Sequence, residues 1–251
     1  MNHTFPRGIV SISFRAHTPE EILTAMKAAG LTHIEWGSDV HAPPNDKERL
    51  AALVALGEKY GVTVSSYGTY FRLGETPLAE LSAYISAAKA LGTDILRLWC
   101  GSKSGADMTS AERDDLITVC REAAAIAERS DAILCMECHK GTFTERVEDS
   151  LYLMRAVSSP AFRMYYQPHQ WKTQEENLTM ARALAPYTEV LHVFQWKGSD
   201  RFSLADGAEE WRTYLSAFDG QPLLLEFMPD DKIETLGTEA DALCRIVGGE
   251  E

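Results

Sequence analysis

Polar side chains that can bind a metal lie at the ends of four apolar segments in the second half of the chain. Glu137 ends one segment, Gln167 and His169 follow the next, His192 lies in a third, and Glu226 lies within Leu-Leu-Leu-Glu-Phe. A glutamate in such a run is costly to bury unless it is paired with a base or bound to a cation. Carboxylate and imidazole together suit Mn, Co, Mg or Zn. These residues predict a divalent-metal site if the fold brings them together.

An ion pair is the alternative explanation for any one of these glutamates, with Arg97 as a candidate partner. Ion pairs that serve structure alone are common, so one buried acid does not decide between the two. Four metal-competent groups at corresponding positions of four successive segments favour the metal site. Earlier in the chain, His33 and Glu35 share one face of an apolar segment. They either reach the same site or form a buried hydrogen-bonded pair.

The order of helix and strand signals shows how these residues are positioned. In the first half, a helix and four to seven apolar residues follow one another four times, with a glycine after the helix in the first three, which is the pattern of a βα unit. Capping boxes open helices at Thr18–Glu21, Thr109–Glu112 and Thr173–Glu176. The alternation continues to the end of the chain. The eight predicted strands cover residues 8–14, 31–36, 62–67, 94–99, 132–137, 162–167, 189–195 and 222–227.

Eight strands and eight helices predict a single (β/α)8 TIM barrel over residues 1–251, with about 31 residues per unit. A doubly wound open sheet is less consistent with the sequence, because no G-x-G-x-x-G follows the first strand. Sites in such barrels form at the carboxyl ends of the strands, where inward side chains alternate with period two. The last four strands are therefore expected to bring their polar groups to one rim.

Composition limits the classes of partner. The chain is 45% hydrophobic and 24% charged, and 24 basic against 37 acidic residues give a net charge of -13. This charge disfavours nucleic acid and anionic membranes as partners. Residues 1–7 have no apolar stretch typical of a secretory signal, and the five cysteines are odd in number and scattered. A cytoplasmic protein with reduced thiols is expected.

Four short patches carry a family resemblance. They are Met-Glu-Cys-His-Lys-Gly-Thr-Phe-Thr at 136–144, Tyr-Tyr-Gln-Pro at 165–168, His-Val-Phe-Gln-Trp at 192–196 and Leu-Glu-Phe at 225–227. With them the chain resembles the sugar-phosphate isomerase/epimerase group of the xylose isomerase-like TIM barrels. The resemblance covers essentially the whole chain, but only these patches are specific. It implies a divalent metal (Mn, Co, Mg or Zn) held by Glu137, Gln167, His192 and Glu226. Such barrels often form a homodimer or homotetramer.

Two features depart from the relatives. The usual ligand on strand six is Asp, whereas this chain has Gln167. An amide oxygen can bind a hard cation but adds no charge, so weaker metal binding is expected. His169 is the alternative ligand on this strand, or a contact to the substrate. The seven histidines are also too few and too scattered for the second cluster that the trinuclear zinc endonucleases of this barrel type need.

The resemblance implies isomerisation or epimerisation of a small carbohydrate, either a sugar or a sugar phosphate. A metal would stabilise the enediolate formed when a proton leaves carbon, with Glu137 and Glu226 as base and acid. A hydride shift is the other mechanism left open. The residues expected to contact the substrate are His139, His169, Arg201, Lys197, Trp36 and Trp196. The alternative function is a barrel with a weakened metal site that acts as a hydrolase or as a non-catalytic sugar-binding protein.

Overall fold

The repeated strand and helix signals correspond to a closed parallel barrel in a computed structural model that describes residues 5–248. Each barrel strand pairs with its neighbours in chain order, and the last strand pairs with the first. The barrel strands are β1 (Arg7–Val10), β2 (His33–Gly37), β3 (Thr63–Leu73), β4 (Ile95–Cys100), β5 (Ile133–Glu137), β6 (Phe162–Tyr166), β7 (Thr188–Val193) and β10 (Leu223–Leu225). The predicted (β/α)8 fold is confirmed. Residues 1–4 and 249–251, which belong to the predicted domain, lie outside the described residues.

Within residues 5–248, eight α-helices follow the barrel strands. They are α1 (Pro19–Ala28), α2 (Lys47–Tyr60), α3 (Leu81–Ala90), α4 (Ser110–Arg129), α5 (Val147–Val157), α6 (Gln174–Leu184), α7 (Ala208–Leu215) and α8 (Leu236–Gly248). The three predicted capping boxes are present, at the N-termini of α1, α4 and α6. None of the helices in the described part of the chain is long and apolar enough to cross a membrane.

The observed elements differ from the prediction in three places. β1 ends at Val10, and Ser11–Phe14 form a turn of 3-10 helix instead of continuing the strand. β3 runs on to Leu73, because its second half pairs with β4 after a shift in register. A two-stranded hairpin, β8 (Gln195–Lys197) with β9 (Asp200–Phe202), follows β7. The sequence pattern did not predict this hairpin, since each strand has only three residues.

The interior of the barrel explains why the site forms where it does. A cluster of buried side chains fills it and includes Cys135, Tyr165, Val190 and Leu224 from four neighbouring strands. Because inward positions alternate along a strand, the next inward positions are two residues later. Those positions are Glu137, Gln167, His192 and Glu226. The apolar interior thus supports a polar layer at the carboxyl ends of the strands.

Candidate metal centre

The other three predicted ligands converge on the Nδ1 atom of His192. This nitrogen lies 3.3 Å from Oε1 of Gln167, 3.5 Å from Oε1 of Glu137 and 3.5 Å from Oε2 of Glu226. Ligand atoms of Glu137, His192 and Glu226 lie within 4.8 Å of one another, and all three residues are buried. Two acids, one amide and one imidazole therefore face a common point at the rim of the barrel.

An arginine from β4 supports this cluster from the side. Arg97, 1% exposed, donates from Nη1 to Oε2 of Glu137 at 2.8 Å, and the indole of Trp99 donates to the same oxygen. The other oxygen of Glu137 is the one that faces His192. The ion pair considered from the sequence is thus present together with the cluster. Arg97 occupies one carboxylate oxygen and leaves the second directed at the common point.

A third buried acid, Glu35 on β2, belongs to the same network. Its Oε1 accepts a hydrogen bond from Nε of Arg97 at 3.1 Å. Its Oε2 accepts from the hydroxyl of Tyr165 at 2.5 Å and from Oγ of Ser66 at 3.0 Å. Of the two possibilities for Glu35, the structure shows that it reaches the site. Its place at the end of an apolar segment, like that of Glu137, was the signal in the sequence.

The electrostatics of the cluster reflect an excess of buried negative charge. Burial opposes ionisation of Glu35, but Arg97 and His192 outweigh it and lower the pKa of Glu35 to about 2. The pKa of Glu137 is likewise lowered well below its usual range, against the effect of burial, by Arg97 and His192. Burial lowers the pKa of His192, yet Glu226 and Glu35 outweigh burial and raise it to about 10.

Glu226 differs from the other two acids. Burial raises the pKa of its carboxyl, and although His192 lowers it, the nearby Glu137 adds to the rise. Three carboxylates thus share the site with one guanidinium and one imidazole, and one acid lacks full compensation. A divalent cation at the common point would supply positive charge, and carboxylate, amide and imidazole are donors that such ions accept. The residues present therefore fit a divalent metal.

A cleft of about 430 Å³ opens above the cluster. Glu137, Gln167 and Glu226 line its floor, and of the residues predicted to contact substrate, His139, His169 and Trp196 line it as well. His169 is 4% exposed, and its Nε2 has no hydrogen-bond partner among the described residues. Burial lowers the pKa of His169 to about 4, so the ring is neutral near pH 7. The ring of His169 thus holds a buried nitrogen that no described residue satisfies.

Three residues predicted to contact substrate do not line this cleft. Trp36 is 1% exposed and packs in the main hydrophobic core, because Glu35 next to it is the residue on the inward face of β2. Lys197 lies on the hairpin, where its ammonium pairs with Glu210 at 3.1 Å. It lines a neighbouring groove instead.

Arg201 is the third of these residues. Its guanidinium lies 4.7 Å from the ring centroid of Trp196 and 5.2 Å from that of Phe227, and it pairs with Asp231. It therefore supports two aromatic residues that line the cleft and does not line the cleft itself. The unpredicted hairpin is the reason, since it holds Trp196 and Arg201 opposite each other.

Other residues at the mouth of the cleft were not predicted from the sequence. Arg15, just after the first 3-10 turn, donates to Asp39 at 2.6 Å and to the hydroxyl of Tyr70. Lys140 lies 4.5 Å from the ring centroid of Trp171. Both cations line the cleft. Their positions shortly after predicted strands were the available signal, but charged residues at such places are too common to be selective.

A match to a family of proteins agrees with this geometry. The family model described as xylose isomerase-like TIM barrel matches residues 23–222, which is most of the chain. A comparison of the chain with curated protein sequences found no match.

Several solved structures share the fold at low identity. The probable 3-DHS dehydratase AsbF of Bacillus anthracis is 15% identical, with a TM-score of 0.81 over 96% of this chain and 98% of that one. A xylose isomerase-like TIM barrel protein from Mycobacterium smegmatis in complex with magnesium is 15% identical, with a TM-score of 0.73 over 97% of each chain. An L-ribulose 3-epimerase is 14% identical, with a TM-score of 0.73 over 97% of this chain and 94% of that one. At these identities the likeness shows the fold alone.

Proposed function

Because the chain belongs to the xylose isomerase-like TIM barrel family, we propose that it is a metal-dependent isomerase or epimerase of a sugar or sugar phosphate. The observation that carries the proposal is the convergence of Glu137, Gln167 and Glu226 on Nδ1 of His192 at the floor of the cleft. Solved proteins of similar fold include an L-ribulose 3-epimerase and a protein in complex with magnesium, which supports the same class of activity and cofactor.

The reaction requires a proton to leave the carbon next to a carbonyl and a proton to return. A divalent cation (Mn, Co, Mg or Zn) bound by the four ligands would supply a Lewis acid that stabilises the negative charge left on the substrate. Glu137 and Glu226, which both line the cleft, are the residues that we assign to accept and return protons. Arg97 and Trp99 hold one oxygen of Glu137, so that carboxylate is fixed in orientation before substrate binds.

The remaining cleft residues suit a small polyhydroxylated substrate. The unpartnered Nε2 of the neutral His169 can accept a hydrogen bond from a hydroxyl group. The ring of Trp196 offers an apolar wall. Arg15 and Lys140 are the cations at the mouth that a phosphate on the substrate would meet, in place of the Arg201 and Lys197 expected from the sequence.

Dehydration is a second candidate activity. The specific observation in its favour is that the solved structure with a TM-score of 0.81 is a probable 3-DHS dehydratase. Removal of a proton next to a carbonyl, followed by loss of a hydroxyl group, would use the same base and the same cation. An isomerase returns the proton, whereas a dehydratase releases water, so the product distinguishes the two.

The test combines metal analysis with proton exchange. The purified protein is stripped of metal, reloaded with Mn²⁺ and incubated in D2O with ketoses, their phosphates and 3-dehydroshikimate. We expect about one metal ion per chain, a new isomer, and deuterium on the carbon next to the carbonyl. A new isomer without deuterium indicates a hydride shift. Loss of water from 3-dehydroshikimate supports the dehydratase.

Two variants with a buried glutamate exchanged for glutamine control the experiment. Glu226→Gln should lose the metal and the exchange reaction. Glu239→Gln, which changes a buried glutamate on α8 that does not line the cleft, should retain both. Phosphate release from sugar phosphates would instead indicate a hydrolase. A protein that binds no metal yet binds sugar without turnover would support the non-catalytic alternative.

A further inference from the structure

The two nitrogens of His192 face different surroundings. Nδ1 faces the oxygens of Gln167, Glu137 and Glu226 at 3.3 to 3.5 Å. Nε2 points the other way, 3.6 Å from Oε2 of Glu35, and it has no hydrogen-bond partner among the described residues. His192 and Glu35 are both 0% exposed, so water does not reach this contact. The buried acid therefore stands behind the ring, on the side away from the cluster.

Glu35 is itself fixed in orientation. Arg97 holds its Oε1, and Tyr165 and Ser66 hold the Oε2 that faces the histidine. Gly68 on β3 makes room for this arrangement, because a Cβ atom there would lie 2.3 Å from Oε1 of Glu35. Among the described residues, the three groups within hydrogen-bond distance of Glu35 are not ligands of the cluster. The orientation of Glu35 is thus fixed by side chains of β3, β4 and β6.

The position of the proton on His192 decides whether the ring can bind a cation. A histidine that binds a metal is deprotonated at the ligating nitrogen and keeps its proton on the other. With the proton on Nδ1, the lone pair of Nε2 would face the carboxylate of Glu35, which is repulsive. With the proton on Nε2, the N–H faces that carboxylate and the Nδ1 lone pair faces the ligand oxygens. Carboxylates in this role behind a ligating histidine raise its basicity and fix its ring.

We propose that Glu35 is a positioning residue of the metal site, which holds the His192 proton on Nε2 and leaves Nδ1 to the cation. The inference rests on the proposed function, since it requires that the cluster binds a metal. It assigns a task to the acid on β2 that neither the family match nor the cleft lining gives it. The distance of 3.6 Å is about 0.5 Å longer than a hydrogen bond, so in this structure the two side chains form an ion pair in contact.

The first test measures affinity for Zn²⁺ by calorimetry in Glu35→Gln, which keeps the shape of the side chain and removes its charge. We expect affinity to fall about 10- to 100-fold, as is typical when such a partner is lost. Tyr165→Phe removes one hydrogen bond to Glu35 and should lower affinity less, by about threefold. Tyr166→Phe is the matched control, because Tyr166 is the next residue of β6 and its hydroxyl bonds to the backbone of Asn177 instead.

The second test reads the proton directly. In Zn²⁺-loaded protein labelled with ¹⁵N-histidine, NMR should show a proton on Nε2 of His192, shifted downfield by the carboxylate. Tyr165→Phe should change this resonance, and Glu35→Gln should move it upfield, while Tyr166→Phe leaves it unchanged. These shifts report on the contact itself, which a general loss of stability would not move. If Glu35→Gln does not fold, the wild-type resonance and Tyr165→Phe still decide the question.

The outcomes separate this inference from the proposed function. If wild-type protein binds no Zn²⁺ or Mn²⁺, the proposed function fails and the inference fails with it. If wild-type protein binds metal but a folded Glu35→Gln binds it equally well with an unchanged Nε2 resonance, the inference alone is overturned. The inference alone is also overturned if the wild-type spectrum shows that Nε2 of His192 binds the metal and Nδ1 carries the proton.

Discussion

An amide stands at position 167 of the ligand cluster, where relatives are expected to carry a carboxylate. Gln167→Asp would add a negative charge to the oxygens that surround Nδ1 of His192. Because charge in the ligand set tunes affinity for hard cations, we predict that Mn²⁺ binds about tenfold tighter, measured by calorimetry. His169→Ala is the control for the other candidate on this strand, and it should leave affinity within about threefold of wild type. If Gln167→Asp left the affinity for Mn²⁺ unchanged and His169→Ala lowered it, His169 would be the ligand and Gln167 would not bind the metal.

Single residues also show what the sequence could and could not reveal about the site. Glu137, Gln167, His192 and Glu226 were predictable, because each lies in or just after the last part of an apolar segment and period-two alternation places all four on one inward face. Trp36 and Arg201 do not line the cleft. A position near a strand end does not tell whether a side chain such as that of Trp36 points into the barrel. The unpredicted hairpin holds Arg201 against Trp196 and Phe227. The contact between Glu35 and His192 joins residues 157 positions apart on strands β2 and β7. No local pattern encodes a contact of that kind.

At the scale of the element, strand β3 depends on a residue without a side chain. Gly68 lies beside the buried pair of Glu35 and Arg97, where an added Cβ would come within 2.9 Å of the carboxylate carbon. We predict that Gly68→Ala lowers the free energy of unfolding by about 1–3 kcal/mol through overpacking, measured by urea denaturation. Gly237→Ala on helix α8 is the control, because nothing lies within 4 Å of its added Cβ. Equal stability of the two variants would show that β3 can shift to admit a methyl group.

Helix α4 leads the chain from β4 to β5 and begins with a capping box. The side chain of Thr109 accepts from the amide of Glu112 at 3.2 Å, and Glu112 accepts from the amide of Thr109 at 2.8 Å. We predict that Thr109→Ala lowers the free energy of unfolding by about 1 kcal/mol near pH 7. Thr118→Ala, on an exposed face of the same helix, should change it by less than about 0.5 kcal/mol.

The effect of Thr109→Ala should also depend on pH. The Lys103 ammonium, with the amide and hydroxyl of Thr109, lowers the pKa of Glu112 to about 2. The pKa of a glutamate in an unfolded chain is about 4.3. A lowered carboxyl pKa stabilises the fold above the unfolded pKa, and that stabilisation is lost as the pH falls through the folded pKa. The gap between wild type and Thr109→Ala should therefore narrow from pH 5 toward pH 2. A difference that stays constant with pH would mean that the Thr109 hydroxyl does not stabilise the ionised Glu112.

The fold itself was the most predictable feature of the molecule. Capping boxes, terminal glycines and apolar strands follow local rules, and their eightfold alternation leaves few topologies other than a closed barrel. The short hairpin after β7 and the extension of β3 depend on pairing with other segments, so the local pattern did not predict them. A homodimer or homotetramer and a cytoplasmic location stay predictions.

At the scale of the whole molecule, the ligand cluster lowers the stability of the metal-free fold, and a bound metal is expected to raise it. Burial and the nearby Glu137 raise the pKa of Glu226. Ionisation of this acid therefore lowers the stability of the folded protein when no metal is bound. We predict that Glu226→Gln is at least as stable as wild type in EDTA, because the amide has the same shape and removes one like charge. Wild type should gain about 2.7 kcal/mol when Mn²⁺ reaches 100 times its dissociation constant, and Glu226→Gln should gain almost nothing. Urea denaturation with and without Mn²⁺ measures both differences.

Glu239→Gln shows what a buried glutamate does when its partners are already in place. Glu239 accepts from Oγ of Ser203 at 2.8 Å and from the amide of Leu204 at 2.7 Å, which joins helix α8 to the segment after the hairpin. Its substitution should cost about 1.5–3 kcal/mol in EDTA, the range for hydrogen bonds to a charged group, and leave the response to Mn²⁺ intact. In EDTA, Glu239→Gln should thus be less stable than wild type, whereas Glu226→Gln should not. With Mn²⁺, Glu239→Gln should gain stability, whereas Glu226→Gln should gain almost none. If Glu226→Gln instead loses stability in EDTA as Glu239→Gln does, or keeps the Mn²⁺ response, then Glu226 serves the fold and the cluster does not bind a cation through it.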